Sequence, residues 1–247
     1  MMNIKVAASF SKNKVQEIID SFGQAGKTYW EKRNTIKVFE VDGDKWNVKS
    51  FQIPHLVNRF AYKYVRKSKA RRSFEHAEIL LKKGVLTPEP IAYVEYSDPV
   101  GLKNSYYVSK NLSYDFAFSD LFEEQFPDRI NILNQFTEFT FKLHENDIHH
   151  FDHSKGNTII CRKGKGQYDF YLIDLNRMKF EKMNYQARID NFNRLSLTTE
   201  MMEIIGKKYA SLMHLEEKKV VEDIKLSCQK FKEFSLRKAR WKKRIRL

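Results

Sequence analysis

The feature that most constrains this chain is the stretch IHHFDHSKGNTII at residues 148–160, followed by YLIDL at residues 171–175. It places Asp152 five positions before Asn157, and a later apolar run ends in a second acid, Asp174. Asp, Asn and Gly between apolar runs are also ordinary turn residues, so the spacing alone does not establish a site. The flanking segments decide what the stretch can be.

Those flanking segments have clear periodicities. Residues 129–144 have the spacing of a helix, and residues 158–161 and 168–173 have the composition of two paired strands. The loop is therefore predicted to follow a helix, and Asp174 is predicted to stand at the end of a strand. This context favours a functional loop over a simple turn.

The three polar side chains match the chemistry of phosphoryl transfer. That reaction needs a carboxylate to accept the proton of the attacking hydroxyl, and an amide oxygen and a second carboxylate to bind magnesium. The kinase catalytic loop H-R-D-x-x-x-x-N followed by D-F-G has this spacing. Here Phe151 replaces the arginine and Asn176 replaces the glycine. We predict Asp152 as the catalytic base, and Asn157 and Asp174 as Mg²⁺ ligands.

A zinc site is the alternative for this region, because several histidines lie close to the loop in sequence. His144 and Glu145 begin like the H-E-x-x-H motif, but Ile148 occupies the position of the second ligand. His149 follows His144 by five residues, and this spacing does not bring two side chains onto one helix face. Magnesium bound through oxygen ligands is therefore favoured over zinc.

Composition restricts the class of protein. The chain has 247 residues, of which 42% are hydrophobic, enough for one large domain or two lobes with a core. No apolar run approaches the roughly 18 residues of a membrane span, and the N-terminus lacks the apolar core of a secretory signal. Cys161 and Cys228 are too few for a disulfide framework, so a reducing cytoplasm is expected. The net charge of +14 attracts anions, without choosing among nucleic acid, phospholipid headgroups and nucleotides.

A hairpin is predicted in the N-terminal part. Residues 35–41 alternate as a half-buried strand, residues 42–44 form a turn, and residues 45–51 return as a second strand. Lys49 lies near the end of the second strand, where a kinase places the lysine that holds the nucleotide phosphates. The alternative is that Lys49 is one of 45 basic residues, exposed on an edge strand. Together with the downstream loop, the functional role is favoured.

A helix over residues 73–83, ended by Gly84, is predicted to follow the hairpin. A kinase needs a glutamate here to pair with the strand lysine and keep it directed at the phosphates. Glu75 and Glu78 lie three residues apart and are neighbours on the helix surface. We predict Glu75 as the partner of the lysine.

Two further segments carry candidate binding residues. The basic segment 59–72 has tyrosines among its cations, which suits either a nucleic-acid-binding surface or the solvated side of a helix beside an acidic ligand. Residues 110–112 are predicted to lead into the connection between two lobes. The backbone groups of Lys110 and Leu112 are candidates for binding an adenine edge.

The C-terminal segment 236–247 is dense in cations, with Trp241 and Ile245 between them. An anionic membrane surface attracts such a segment at about 1 kcal/mol per cation near the surface. The alternative is a solvated, frayed helix end.

Four phrases, in this order, resemble the bacterial lipopolysaccharide kinase (Kdo/WaaP) family, a branch of the protein-kinase-like fold. They are WNVKSF at residues 46–51, SKARRSFE at residues 68–75, GVLTPEPIA at residues 84–92, and the loop 152–157 with the Ile-Asp pair that ends in Asp174. The resemblance runs from about residue 46 to residue 179, somewhat more than half of the chain.

The resemblance implies a cytoplasmic, ATP-dependent kinase that phosphorylates a hydroxyl of heptose or Kdo in the inner core of lipopolysaccharide. It implies that Lys49 contacts the α and β phosphates and that Glu75 orients it. It also implies that Asp152 is the base and that Asn157 and Asp174 bind Mg²⁺. The expected partners are a lipopolysaccharide core or lipid A precursor and the anionic inner face of the inner membrane.

The chain also departs from the kinase pattern. No clear G-x-G-x-x-G precedes Lys49, since Gly23 and Gly26 lie ahead of the first clear strand. Asn176 in place of the D-F-G glycine, with no A-P-E after it, argues against a regulated protein kinase.

We therefore expect an α+β, bilobal protein-kinase-like fold with the nucleotide in the cleft between the lobes. Residues 1–112 are expected to form a small antiparallel-sheet N-lobe with one main helix. Residues 113–247 are expected to form a larger, mainly helical C-lobe with a basic tail. The rival functions are a kinase acting on a protein or small molecule, a nucleotide-binding pseudokinase, and a basic nucleic-acid-binding protein, with nucleic acid the less favoured partner.

Overall fold

The computed structural model describes residues 1–245 of the chain. Its internal contacts divide the chain into two compact units, which are described separately below. The first unit is Met1–Ser113 with Asp174–Asn176, and the second is Tyr114–Ile173 with Arg177–Leu247. The last two residues of the predicted basic tail, 246 and 247, lie outside the described residues.

The first unit is built on a six-stranded antiparallel sheet in the order β1-β5-β6-β4-β3-β2. Its elements in chain order are β1 (Met2–Val6), α1 (Lys12–Ser21), β2 (Lys27–Glu31), β3 (Thr35–Val41), β4 (Asp44–Phe51), α2 (Leu56–Tyr64), α3 (Lys69–Lys82), β5 (Pro90–Ser97) and β6 (Leu102–Lys110). One face of the sheet packs on α1 through a core that includes Val15, Trp46, Val48, Val94 and Val108.

The predicted hairpin of β3 and β4 is confirmed. Val41 pairs with Asp44, and the two turn residues Asp42 and Gly43 have φ values of 52° and 85°. This left-handed backbone is the conformation that a two-residue hairpin turn requires and that Asp-Gly adopts readily.

The helix predicted over residues 73–83 begins earlier, at Lys69. The hydroxyl of Ser68 accepts a hydrogen bond from the Arg71 N–H at 3.0 Å and caps the helix. Strands β1 and β2 were not predicted, because each has five residues and none of them is buried. Helix α2 was not predicted either, because its segment reads as a basic stretch.

The second unit is mainly helical, with a three-stranded and a two-stranded sheet. Its elements are β7 (Phe116–Ala117), a 3₁₀ helix (Phe118–Phe122), α4 (Arg129–Glu145), β8 (Ile148–His150), β9 (Thr158–Gly164), β10 (Gln167–Leu172), β11 (Met178–Phe180), α5 (Tyr185–Asp190), a second 3₁₀ helix (Asn193–Leu195), α6 (Thr199–Met213) and α7 (Glu217–Ile245). The predicted helix before the loop is α4, and the predicted strand pair after it is β9 and β10.

The core of this unit packs α4 against α6 and α7. Phe136, Leu133, Ile205, Tyr209 and Ile224 are fully buried in it. Helix α7 is the longest helix of this unit, with 29 residues. Within the described part of the chain, no helix is both long enough and apolar enough to cross a membrane.

Candidate active site

Lys49 lies on β4, which is flanked by β3 and β6 in the sheet. The alternative that places this lysine on an edge strand is therefore wrong. Its Nζ forms an ion pair with Oδ1 of Asp174 at 2.8 Å, and only 15% of the Lys49 side chain is exposed. Two candidate residues that are far apart in sequence thus meet within the first unit.

The segment that carries Asp174 is held in place by α3. The ring Nδ1 of His76 lies 2.7 Å from the Leu175 carbonyl oxygen. Burial lowers the pKa of His76, so its ring is neutral at pH 7 and donates this hydrogen bond through Nδ1–H. The amide of Asn176 donates to the Asp174 carboxylate, and Asp174 has a left-handed φ of 58°. The residue that replaces the D-F-G glycine therefore orients the acid beside Lys49.

The predicted lysine partner, Glu75, has different neighbours in this structure. Its carboxylate pairs with Lys67 at 2.7 Å and with Arg71 at 2.9 Å. Burial raises the pKa of Glu75, but the hydrogen bonds from these two cations outweigh it and hold the pKa below its usual value. The other candidate, Glu78, pairs with Lys5 at 3.0 Å. The pairing of Glu75 with Lys49 remains a prediction.

The predicted adenine-binding segment follows β6. The backbone N–H of Lys110 donates to the Glu89 carbonyl at 2.9 Å, and that of Asn111 donates to the Lys45 carbonyl at 2.7 Å. These two amide donors are therefore already used. Leu112 lies in the irregular segment after the strand and is partly exposed.

The turn between β2 and β3 was not predicted; it lies one hairpin ahead of β4, the strand that carries Lys49. Strands β2 and β3 are joined by Lys32, Arg33 and Asn34, of which the two cations are exposed. Gly23 and Gly26 precede β2 and do not form this turn. A kinase places a glycine-rich loop at the hairpin before the lysine strand, and here the turn carries two cations instead. The sequence does contain the two adjacent cations, but they could not be assigned to a turn because β2 was not predicted.

In the second unit, the loop after β8 brings Asp152 and Asn157 together. The Asn157 side-chain amide donates to the Asp152 carbonyl at 2.8 Å, and the Asp152 N–H donates to Nδ1 of His150 at 3.0 Å. The N–H of Ile173 donates to the Asn157 carbonyl at 2.9 Å. Because the amide nitrogen of Asn157 is used within the loop, its oxygen is the atom suited to bind a cation.

Two arginines that the sequence analysis did not assign flank the predicted base. Arg177 Nη1 lies 3.6 Å from one carboxylate oxygen of Asp152, and Arg194 Nη1 lies 3.6 Å from the other. The Arg194 guanidinium also stacks over the ring of Phe231, 4.9 Å from its centroid. Arg177 immediately follows the Asp174–Asn176 segment in sequence, whereas nothing local to Arg194 connects it with the loop.

Hydrogen bonds among buried side chains hold this loop in place. His144 Nε2 lies 3.2 Å from Asn191 Oδ1, and the Asn191 amide donates to the His150 carbonyl at 2.9 Å. The other ring nitrogen of His144 lies 2.6 Å from the hydroxyl of Tyr209. Burial lowers the pKa of His144 to about 3, so this ring is neutral at pH 7. Among residues 1–245, no group of three or more His, Cys, Asp or Glu side chains is arranged to hold a metal ion.

Each unit therefore holds one group of candidate residues. The first unit pairs Lys49 with Asp174, and the second joins Asp152 with Asn157. Carboxylate and amide oxygens are the ligands that Mg²⁺ prefers, so Asn157 and Asp174 have donor atoms of the right kind. The cations and acids are those that phosphoryl transfer uses.

Comparison with known proteins identifies the family. The profile of the lipopolysaccharide kinase (Kdo/WaaP) family matches residues 14–216. The chain belongs to this family. Lipopolysaccharide kinases phosphorylate sugars of the lipopolysaccharide core, so the chain is a phosphotransferase with an alcohol group as acceptor.

A solved structure of WaaP in complex with acyl carrier protein is similar to this lipopolysaccharide kinase. The two share 17% sequence identity with a TM-score of 0.65, over 95% of this chain and 98% of the other. The predicted α+β, protein-kinase-like fold is confirmed. A search among curated proteins found no match.

Proposed function

We propose that this chain transfers the γ-phosphoryl group of ATP to a hydroxyl of heptose or Kdo in the inner core of lipopolysaccharide. The observation that carries the proposal is the 2.8 Å ion pair between Lys49 and Asp174. It joins a lysine from a central strand to the acid that follows an apolar strand, which are the two groups that bind nucleotide phosphates and metal in kinases. Membership of the family supplies the class of acceptor.

Lys49 is proposed to bind the α and β phosphates of ATP. In the structure, Lys49 and Asp174 neutralise each other. Nucleotide phosphates offer Lys49 a stronger anion, which leaves Asp174 able to hold Mg²⁺ together with the amide oxygen of Asn157. Bound Mg²⁺ would supply neutralisation of the charge on the phosphates. Glu75 is proposed to become the partner of Lys49 in that state, which requires it to leave Lys67 and Arg71.

Other residues of the first unit are proposed to bind the rest of the nucleotide. The backbone of Leu112 would meet the adenine edge, with Lys110 bordering it, since the N–H groups of Lys110 and Asn111 are already used. Lys32 and Arg33 would contact phosphates through their side chains, in place of the backbone N–H groups of a glycine-rich loop.

In the second unit, Asp152 is proposed to accept the proton of the sugar hydroxyl. Its carboxylate lies 3.6 Å from both Arg177 and Arg194, longer than a hydrogen bond. The two guanidinium groups therefore remain able to bind a carboxylate or phosphate of an anionic core sugar. Binding that anion would position the neighbouring hydroxyl at Asp152.

The lipid-borne acceptor suggests two partners. We propose that the end of α7, where Phe234, Leu236 and Trp241 are exposed among cations, contacts the anionic inner face of the inner membrane. An acyl carrier protein, the partner of WaaP in the similar solved structure, is the second candidate. Co-purification of a carrier protein with the tagged chain tests the second candidate.

The decisive experiment incubates the purified chain with γ-labelled ATP, Mg²⁺ and core oligosaccharide isolated from cells that lack the gene. Transfer of label to the sugar, with a mass gain of one phosphate, is expected. Asp152→Asn should lower the rate by roughly 10²–10⁴-fold, the range expected for loss of a general base. Asp169→Asn is a matched control, because both acids are paired with a cation and 28% exposed.

Three results would contradict the proposal. Transfer to a protein or small molecule but not to core sugar would assign another acceptor. Stabilisation by Mg²⁺ and ATP without turnover would indicate a pseudokinase. Equal rates for Asp152→Asn and the wild-type chain would show that Asp152 is not the base.

A further inference from the structure

Helix α2 exposes its apolar side chains. None of the residues from Leu56 to Tyr64 is buried. Leu56, Val57, Phe60 and Tyr64 are 65%, 82%, 56% and 56% exposed. At 100° per residue these four positions lie within an arc of about 100°, so they form one continuous apolar face. An apolar face of this kind on the surface of a folded unit marks an interaction site.

The cations of α2 attach the helix to its own unit. Arg59 donates to the Leu102 carbonyl at 3.1 Å and to the Asp98 carboxylate at 2.7 Å. Lys63 donates to the Asp98 carbonyl at 2.6 Å. A Cβ added to Gly101 would lie 2.4 Å from the Arg59 backbone, so the turn between β5 and β6 approaches the helix closely. The helix is thus fixed with polar groups inward and apolar groups outward, the reverse of an ordinary surface helix.

The chain around α2 is rich in cations. Residues 45–74 contain nine lysines and arginines and no acid. Beside the helix is a hollow of about 570 Å³ whose lining includes Tyr62, Arg66, Lys67 and Arg71, with Glu95 as the acid of the lining. The guanidinium of Arg66 lies 4.2 Å from the ring centroid of Tyr62. Apolar side chains beside cations and tyrosines are the composition of a segment that lies in a membrane interface.

We propose that α2 docks this chain on an anionic phospholipid bilayer. The apolar face of Leu56, Val57, Phe60 and Tyr64 would enter the boundary between headgroups and acyl chains, and the basic hollow would hold a phosphate headgroup. The excess of cations in residues 45–74 favours an anionic bilayer as the occupant of this apolar face. The inference rests on α2 and the hollow beside it, and it is independent of the phosphoryl transfer proposed above.

The test measures flotation of the full chain with vesicles of phosphatidylcholine, with or without 30 mol% phosphatidylglycerol (roughly the charge density of an anionic leaflet). Binding to the anionic vesicles is expected. The double variant Leu56→Ser with Phe60→Ser should weaken it by about tenfold or more. Ile130→Ser with Leu226→Ser is the matched control, because these side chains are 60% and 49% exposed in the second unit. The control should bind like the wild-type chain.

The basic end of α7 is a second source of vesicle binding, so each comparison is repeated with Trp241→Ser. Loss of binding on changing α2 in both backgrounds supports the proposal. Unchanged binding of the α2 variant in both backgrounds would overturn it, and so would equal loss in the Ile130 and Leu226 control. A Phe60→Trp variant gives a second readout that does not depend on loss of function. Its added fluorescence should be quenched by brominated anionic lipid, and absence of quenching would also overturn the proposal.

Discussion

The two acids of the candidate site are held in different ways. Asp174 forms a short ion pair at 2.8 Å with the largely buried side chain of Lys49. Asp152 lies 3.6 Å from each of two half-exposed arginines and makes a hydrogen bond to neither. The first acid is already neutralised and must exchange its partner before it can bind metal. The second keeps its lone pairs for a proton, and its arginines keep their donors for an anion of the acceptor.

The largest expected effect is at the first acid. Asp174→Asn removes the charge that would hold Mg²⁺, so we expect kcat to fall by about 10³-fold, comparable to loss of a preorganised charge in other active sites. Asp42→Asn is the matched control, because both aspartates pair with a lysine and have φ near 55°, which asparagine tolerates. Steady-state kinetics with core oligosaccharide measures the difference. Equal activity of the two variants would show that Asp174 does not take part in the reaction.

At the second acid, substitution of Arg194 tests whether the arginines beside Asp152 bind the acceptor. Arg194→Gln should raise KM for an anionic acceptor by about tenfold and change kcat little, because it removes a contact to substrate and leaves the base. Arg162→Gln is the control, since Arg162 pairs with Asp115 and is 53% exposed. An acceptor without carboxylate or phosphate groups should not distinguish Arg194→Gln from the wild-type chain. A fall in kcat with every acceptor would instead assign Arg194 to positioning of Asp152.

The features of the two acid sites that depend on short stretches of sequence could be predicted. Asp152 and Asn157 are five residues apart in one loop, and the Asp42-Gly43 turn sets the register of the strand that carries Lys49. Alternation and turn residues are short-range signals, so a single sequence contains them.

The remaining contacts depend on tertiary structure. The pairing of Lys49 with Asp174 and the approach of Arg194 to Asp152 join residues distant in the chain, and no local pattern indicates them. Helix α2 was missed although its pattern is local. Its apolar residues do have helical spacing, but the segment also reads as a basic stretch, and its apolar face does not pack into a core.

A smaller effect is expected at α3. If Glu75 becomes the partner of Lys49 when nucleotide is bound, Glu75→Gln should lower kcat by roughly fivefold, since the lysine keeps its charge and loses only its orientation. Glu78→Gln is the control, because Glu78 pairs with Lys5. Glu75→Gln loses two partly exposed ion pairs and Glu78→Gln loses one, so the unfolding temperatures of the two variants should differ only slightly. Equal, small changes in kcat would leave Glu75 as a partner of Lys67 and Arg71 alone.

The smallest effect on activity and the clearest effect on stability are expected at His144, which supports the loop of Asp152. In the unfolded chain this histidine is protonated below the ordinary histidine pKa of 6.5, but in the folded chain the buried ring stays neutral down to a pKa of about 3. The unfolded state therefore binds more protons in this window, and stability falls as pH falls from 6.5. His144 should therefore lower the free energy of unfolding by about 1.4 kcal/mol for each pH unit by which the pH falls in this window. Urea unfolding at several pH values between 6 and 4 measures how the free energy of unfolding depends on pH. This dependence should be smaller by that amount in His144→Gln, because glutamine cannot be protonated. His153 is also buried with a lowered pKa, and it remains in both proteins. Identical slopes would mean that His144 is protonated in the folded chain, and that the Asp152 loop rests on a charged ring, unlike the Asp174 segment with its neutral His76.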